Sequence, residues 1–599
     1  MNPALLAVRM NLNALCVRPE NEFVAGVYRT LPDRPCSARG GVTSQIPTDH
    51  SVRQSGIPDS PFPAGRQRQE RGLPDPVHSQ QWSPVTATRQ KTVPDLACFK
   101  EWNWILSRLL DYRVRQSTTG SPESLQFIRP KRSESMSDKQ KASIIPSEKS
   151  PFRSRSERIE AGRALRTNCP RSSQGEWIPA ARRRDPVEVV RESDQYRLPQ
   201  LVPIRYGRML RSPFTFFRGS AGLMASDLST QPQTGVIVQI CGDCHLLNFG
   251  LSATPERNLV FDINDFDETL PAPWEGDLKR LVTSFMVAAR DQGLSDENGR
   301  DGAEGCARSY REQLREFSKM SPLEVWYTHL DVDTLIEEAP DADTRKRRQQ
   351  LSDKARERIV ENIFPKLVDQ VGGRYRFVDQ PPILFHTDDP DGDERVRKGL
   401  EDYRETLSDE RRVLLDRYQL EDYAIKAVGI GSVGTRCLVL LMFSEENHPL
   451  ILQVKEARPS VLEPYTKKSV YENAGQRVVA GQRLMQSSSD IFLGWVRGSL
   501  GNDFYVRQLR DMKMSPPTEG ATADQIRMYA EICGRTLARA HAKAGDAATI
   551  SGYLGKGDQF DRAMGDFAVA YADQTEADYA ALIKAERSGK IEAIIEDDV

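Results

Sequence analysis

Residue types that phosphoryl-transfer chemistry requires cluster between Gly242 and Asp277. The run C-G-D-C-H-L-L-N-F-G, starting at Cys241, puts Asp243 and Asn248 five residues apart on a segment that follows the strand-like G-V-I-V-Q-I. A carboxylate can take the proton of an attacking hydroxyl, and an amide oxygen is a hard donor for magnesium. Both must reach one phosphate-metal cluster from one short loop, which is what this spacing allows. Asp243 is therefore expected to be the catalytic base and Asn248 a metal ligand. His245, inside the same run, joins the catalytic set chiefly as a brace of the loop. A second strand-like run, L-V-F-D-I-N-D-F-D-E, delivers Asp262, Asp265 and Asp267 at or beyond its end. Magnesium keeps water and needs only one or two carboxylates besides phosphate oxygens, so Asp265 is the expected main ligand and Asp267 a further one. Asp277 opens a helical period and is expected to be structural, as an N-cap or a loop brace. The competing readings of the cluster are a solvated acidic turn and a calcium site.

Far downstream, V-G-I-G-S-V-G-T-R-C carries Gly429, Gly431 and Gly434 as G-x-G-x-x-G between two strand-like runs. A dinucleotide-binding unit would continue into a helix, but Cys437 to Phe443 is strand-like, so the glycines fit a flap over nucleotide phosphates. Lys455, in L-I-L-Q-V-K-E-A, is then placed to meet the α- and β-phosphates of ATP. A carboxylate must hold it, with Glu472 the expected partner and Glu463 the alternative. Backbone near Gln508 to Arg510 is expected to hydrogen-bond adenine. The alternative is that the glycines shape a hairpin and Lys455 is a surface lysine.

These groups need elements to position them. Phe214–Leu228 reads as a helix, Gly235–Ile240 and Asn258–Ile263 as strands, and Asp277–Arg290 as a helix with Leu278, Leu281 and Phe285 on one stripe. Residues 201–300 thus form the catalytic-loop and metal-binding segment. Residues 301–420 form a highly charged, mainly helical connection whose basic run Arg345–Arg348 reads as a solvated face. Residues 421–515 form the nucleotide-binding lobe, with strands at Ala424–Val428, Cys437–Phe443, Leu450–Val454 and Asp503–Leu509 and a helix near Tyr471–Gln486. Residues 516–599 are helical. Residues 136–200 read as a lead-in arm. Residues 1–135, rich in Pro, Arg, Ser and Gln, lack a sustained period and are expected to be a disordered tail, with Met136 a candidate initiator.

Composition excludes several function classes. The 599 residues carry 83 Lys plus Arg against 85 Asp plus Glu, so no net field recruits nucleic acid or an anionic membrane. No apolar run is long enough to span a bilayer and no secretion signal is evident. Nine scattered cysteines favour a reducing, cytoplasmic setting over a disulfide framework. Cys241 and Cys244 form C-x-x-C without a second Cys/His pair at zinc spacing. The expected partners are a nucleotide and a small-molecule or protein acceptor, with ATP and Mg2+ as cofactors.

The G-D-x-H-x-x-N and D-F-D…D-L progression resembles small-molecule kinases of the aminoglycoside phosphotransferase type, although Cys241 stands where those kinases often carry His. As a set, R-Y-G-R-M-L-R-S-P-F-T-F-F-R-G, C-G-D-C-H-L-L-N-F-G, V-F-D-I-N-D-F-D-E-T-L, W-E-G-D-L-K-R-L, V-G-I-G-S-V-G-T-R-C, Q-V-K-E-A and Y-V-R-Q-L-R-D resemble the bacterial family called domain of unknown function 2252 (DUF2252), from roughly Arg158 onward. The resemblance implies an α+β, protein-kinase-like two-lobed fold in circularly permuted order, the catalytic loop preceding the glycine flap. A kinase-like transferase is the leading function. The others are an AMP transferase of the same fold, a nucleotide-binding pseudokinase, and a two-metal phosphoesterase, for which the acidic motifs hold no histidine besides His245.

Overall fold

The computed structural model describes residues 153–427, 429, 431, 433–509 and 511–595, all within one compact unit, Ile128–Val599. The expectations for residues 1–135 and for Met136 lie outside these residues. Helices and sheets share the fold, in line with the α+β reading.

Apolar runs buried on both faces build the middle of the larger sheet. The strands β1 (Ile237–Ile240), β2 (Phe249–Ala253), β3 (Leu259–Ile263) and β4 (Leu270–Pro273) form two hydrogen-bonded antiparallel pairs, β1 with β4 and β2 with β3. Then come β5 (Val368–Val371), β6 (Arg374–Phe377), β7 (Leu384–Phe385), β8 (Gln419–Lys426), β9 (Cys437–Phe443), β10 (Pro449–Ala457), β11 (Gly494–Arg497) and β12 (Asp503–Gln508). A six-stranded antiparallel sheet runs in the order β11-β12-β10-β9-β8-β7. Strand side chains point alternately to opposite faces. Leu440, Met442, Leu452 and Val454 accordingly join one core with Tyr403 and Leu415, while Val439, Leu441 and Ile451 join another with Val368 and Phe377. Lys455 shares the parity of Ile451 and so leaves the sheet on the face away from Leu452 and Val454.

The expected helix Phe214–Leu228 is two helices, α1 (Pro213–Gly219) and α2 (Ala221–Leu228), broken at Ser220, whose backbone is non-helical (φ −118°, ψ 33°). The helix expected from Asp277 starts two residues earlier, as α3 (Glu275–Asp291). It is buried on nearly every side, polar Asp277, Lys279 and Arg280 included, rather than along one stripe. The helix α4 (Asp296–Phe317) packs against it, α5 (Ala474–Met485) packs on α6 (Ala523–Ala544), and α6 and α7 (Gln559–Arg587) also pack against α3, all of them contributing with the small strand pairs to the largest core. Trp274, at the head of α3, stacks on Tyr310 of α4 with ring centres 5.7 Å apart.

The connecting region 301–420 is not purely helical, because it contains β5, β6 and β7. The β5–β6 hairpin turns on Gly372 and Gly373, whose φ values of 61° and 83° are accessible at low cost only to glycine. Among the described residues no helix is long and apolar enough to cross a membrane.

Candidate functional site

The Asp243 loop is set by the backbone that enters it. Gly242 sits at φ 82°, and a Cβ there would lie 2.5 Å from the Glu268 carbonyl oxygen, so glycine is required. The Asp277 carboxylate, from the first turn of α3, accepts hydrogen bonds from the Cys241 and Gly242 amides at 2.8 and 2.9 Å. His541 Nε2 of α6 lies 3.3 Å from the same carboxylate, and its Nδ1 meets the Tyr310 hydroxyl at 2.8 Å. Asp277 is therefore a loop brace. Trp274 occupies the N-cap position instead.

Asp243 is held from two sides. Arg280 Nε donates to its Oδ1 at 2.6 Å, while another nitrogen of the same guanidinium donates to the Phe217 carbonyl of α1 at 2.9 Å. Asn248 Nδ2 donates to the Asp243 carbonyl at 2.8 Å, which commits the amide nitrogen and leaves the amide oxygen as the free donor atom for a cation. Oδ2 of Asp243 has no hydrogen-bond donor among the described residues. His245 is buried. Its backbone carbonyl accepts from Asn248 at 2.8 Å, and its Nδ1 has no hydrogen-bond partner among the described residues. Burial is the main cause that pulls its pKa down to about 3, with Asp243 opposing and Arg218 and Arg280 adding to the fall. The ring is thus neutral near pH 7.

The β2–β3 hairpin carries the second acidic group to the same place. Phe249 pairs with Ile263, and the Asn264 amide donates to the Asn248 carbonyl at 2.7 Å, which sets Asp265 and Asp267 just beyond the hairpin beside Asn248. Asp262 turns the other way. It is buried, accepts from Arg539 at 2.6 Å and from the Ser487 amide at 2.8 Å, and is structural.

Lys455 reaches this group from β10. Its Nζ donates to Asp267 and lies 3.9 Å from Asp265, and the hydroxyl of Tyr505, its cross-strand partner on β12, donates to the other oxygen of Asp267 at 2.8 Å. Burial opposes charge on both sides of this contact. Yet Asp265 lies below its usual value because Lys455, Arg507 and Lys513 outweigh burial, and Lys455 lies well above its usual value because Asp265 and Asp267 do. Lys513, half-buried, is pushed well below the usual lysine range by desolvation and by Arg507, and donates to the Asn264 carbonyl at 2.8 Å.

The carboxylates nearest Lys455 are thus those expected as metal ligands. Glu472 lies ahead of α5 and lines a neighbouring depression with Arg477 and Asp503, its carbonyl accepting from Arg497 at 2.9 Å. Glu463, the alternative, lines the main cleft. From α5 and its C-cap the residues that line that cleft are Gln482 and Gln486, and Arg477 donates to the carbonyls of Thr269, Asp267 and Arg458. The expected adenine contact is also changed. The Gln508 amide donates to Asp490 at 2.6 Å and the Leu509 amide to Ile451 at 2.9 Å, so neither N–H is available to a base, and Arg510 is outside the described residues.

Gly429 and Gly431 line the same cleft as Asp243, His245, Asn248, Asp265, Asp267 and Lys455. The cleft encloses about 1240 Å³. Gly434 does not line it. The Gly434 carbonyl accepts from the Leu198 amide at 2.7 Å, and a Cβ on this glycine would lie 3.0 Å from the Arg197 side chain. Arg197, from the segment read as a lead-in arm, donates to the Val433 and Gly431 carbonyls and so clasps the glycine turn.

The hard oxygens of Asn248, Asp265 and Asp267 beside a buried lysine suit a divalent cation bridging phosphates. The C-x-x-C offers a different set, since Cys241 Sγ, Cys244 Sγ and an Asp277 oxygen lie within 4.8 Å of one another. Burial raises both thiols, Cys244 to about 11, and Asp277 already serves two amides, so this group behaves as packed core. The six described cysteines are all buried and free.

Sequence reasoning assigned no role to Arg280, Tyr505, Arg507, Lys513 or Arg197. Arg280 and Arg507 stand inside motifs singled out above, but their targets lie on other elements, and spacing along the chain carries no record of that.

Comparison with curated proteins and with solved structures finds no match. A family model described as an uncharacterized protein conserved in bacteria (DUF2252) matches residues 197–585, from the arginine that clasps the glycine turn to the last turns of α7. More than half of the chain is covered, and the protein belongs to that family.

Proposed function

We propose that this protein is an ATP- and magnesium-dependent phosphotransferase with a protein-kinase-like, permuted fold, acting on a hydroxyl acceptor. One observation carries the reading. Lys455 meets Asp267 across 188 positions of sequence, in a cleft that also holds Asp243 and Asn248. Nothing in local sequence brings a sheet lysine to the acids of a distant hairpin. A site that binds phosphates and a metal needs that convergence. The two segments occur in the reverse of the usual kinase order, and β8–β10 with the glycine turn supply the nucleotide side.

In this mechanism Lys455 orients the α- and β-phosphates, and Gly429 and Gly431 let backbone approach them closely. Asp265, Asp267 and the Asn248 amide oxygen would hold magnesium, which would supply positive charge against the phosphates. Asp243, with Oδ1 fixed by Arg280, accepts the acceptor's hydroxyl proton on Oδ2. His245 stays neutral and shapes the loop. Positioning and electrostatics do most of the work.

The test compares wild type with Asp265→Ala and Asp243→Asn. ATP affinity should require magnesium and fall in Asp265→Ala. Asp243→Asn should bind ATP normally but lose on the order of 10²- to 10⁴-fold in turnover. Incubation with α- and γ-labelled ATP and a bacterial lysate distinguishes phosphoryl from adenylyl transfer. Negligible ATP affinity in wild type, with or without magnesium, would sink the reading.

A further inference from the structure

The arginines around Asp243 are nearly all committed. Arg280 is bonded to Asp243 and the Phe217 carbonyl, Arg205 to Asp194 and the Gly219 carbonyl, and Arg197 to the carbonyls of the glycine turn. Arg218 is different. It makes no hydrogen bond and no ion pair among the described residues, and its Nε is shut away from water without a partner. The charge that acts on it is that of Asp243.

Its placement is rigid. Ser212 and Thr215 form a reciprocal cap at the start of α1, and Phe214, Phe216 and Phe217 bury the helix, so Arg218 leaves its last turn into the cleft. The same turn underlies the glycine segment, since a Cβ on Gly431 would lie 3.8 Å from the Arg218 carbonyl. Arg218 therefore stands between the glycine turn, where phosphates are expected, and Asp243, where the acceptor hydroxyl is expected. Holding a half-buried guanidinium with no acceptor is unfavourable, and burial depresses its pKa. An anion with several oxygens removes that cost, and a planar fork of donors matches a phosphoryl group.

We propose that Arg218 is an anion-binding residue for the phosphoryl group being transferred, contacting the terminal phosphate of the nucleotide between Gly431 and Asp243. This rests on the phosphotransferase reading and adds a residue to it. Arg218 and Lys455 then divide the triphosphate, the lysine acting on the inner phosphates and the arginine on the outermost. As the bond from the γ-phosphorus to the β,γ-bridging oxygen breaks and that to the acceptor oxygen forms, charge stays on the three peripheral oxygens that Arg218 faces.

The experiment measures equilibrium affinities of the full chain for Mg–ADP and for a non-hydrolysable Mg–ATP analogue, in wild type, Arg218→Ala and Arg218→Lys. A thermal scan checks that each variant is folded. Arg218→Ala should weaken the triphosphate about tenfold and leave ADP within about twofold, with Arg218→Lys between, as expected when one charged hydrogen-bonding group is lost. Turnover should fall on the order of 10³-fold in Arg218→Ala. Equal weakening of both nucleotides would mark a structural role and overturn the proposal. Unchanged affinity for both would also overturn it and transfer Arg218 to the acceptor's own anionic group. Wild-type protein that binds neither nucleotide would remove the phosphotransferase reading and this role together.

Discussion

Replacing Lys455 with Met tests the charge balance of the cleft without any ligand. The lysine side chain is only 4% exposed, whereas Asp265 and Asp267 are 33% and 28% exposed. Removing one partner of a fully buried pair costs about 3–5 kcal/mol, because the other charge is stranded. Here water reaches both acids, and Arg507 and Lys513 remain nearby, so the expected loss at pH 7 is about 1–2 kcal/mol. The loss has a pH signature. Asp265 is held below its ordinary 3.8, so the stability it contributes is fully present above that value and is lost as pH falls through its lower folded value. The difference between wild type and Lys455→Met should thus be flat from pH 7 to about 5 and should shrink below pH 4. Thermal midpoints followed by tryptophan fluorescence across that range would measure it, at on the order of 2 °C per kcal/mol. A variant as stable as wild type at pH 7, or a difference that persists unchanged when the acids are protonated, would refute the argument that these carboxylates depend on Lys455.

Asp277→Ala strands the buried Cys241 amide and the half-buried Gly242 amide and removes the Nε2 partner of His541, so thermal stability should fall by about 2–4 kcal/mol, and under the proposed function turnover should fall even at temperatures where the chain is folded. Hydrogen exchange at Cys241 and Gly242 should rise, and unchanged protection there would show that the carboxylate is not the brace. His245 titrates normally near 6.5 when unfolded and near 3 in the fold, so the unfolded chain binds its proton first and stability declines as pH falls from 6.5 toward 3. In His245→Asn that acid-side decline, measured by denaturant midpoints at several pH values, should be smaller. An equally steep decline would assign it to other groups.

Legibility from sequence divides by range. Cys437–Phe443 was readable as a strand to the residue, because a run of consecutive apolar residues of strand length is bounded by a glycine turn and a polar turn. Asp243, Asn248 and Asp265 were readable as one group because a short loop and the hairpin after it keep them close. The break at Ser220 was not readable, since the apolar period of Phe214–Leu228 continues through it and packing alone decides where a helix stops. Nor was the β5–β6 hairpin, whose only local signal is Gly372–Gly373 within a charged region.

Partners were the least legible feature. Glu472 reads as the partner of Lys455 because it falls in the helix expected near Tyr471–Gln486, yet that helix starts at Ala474 and the nearest carboxylates come from a hairpin 188 positions earlier. The Gln508 amide looked available to a base until the fold brought Asp490 to it. Charge and chemical type are properties of a residue and can be read in order along the chain. Ion pairs and buried hydrogen bonds are properties of a place, set by which elements the core brings together. The sequence by itself determined the inventory of acids, amide, lysine and glycines and the short-range spacing within each motif. Only the tertiary structure decided that Lys455 faces Asp267, that Arg280 fixes Asp243, and that Arg218, with no hydrogen-bond partner among the described residues, stands between the glycine turn and the Asp243 loop.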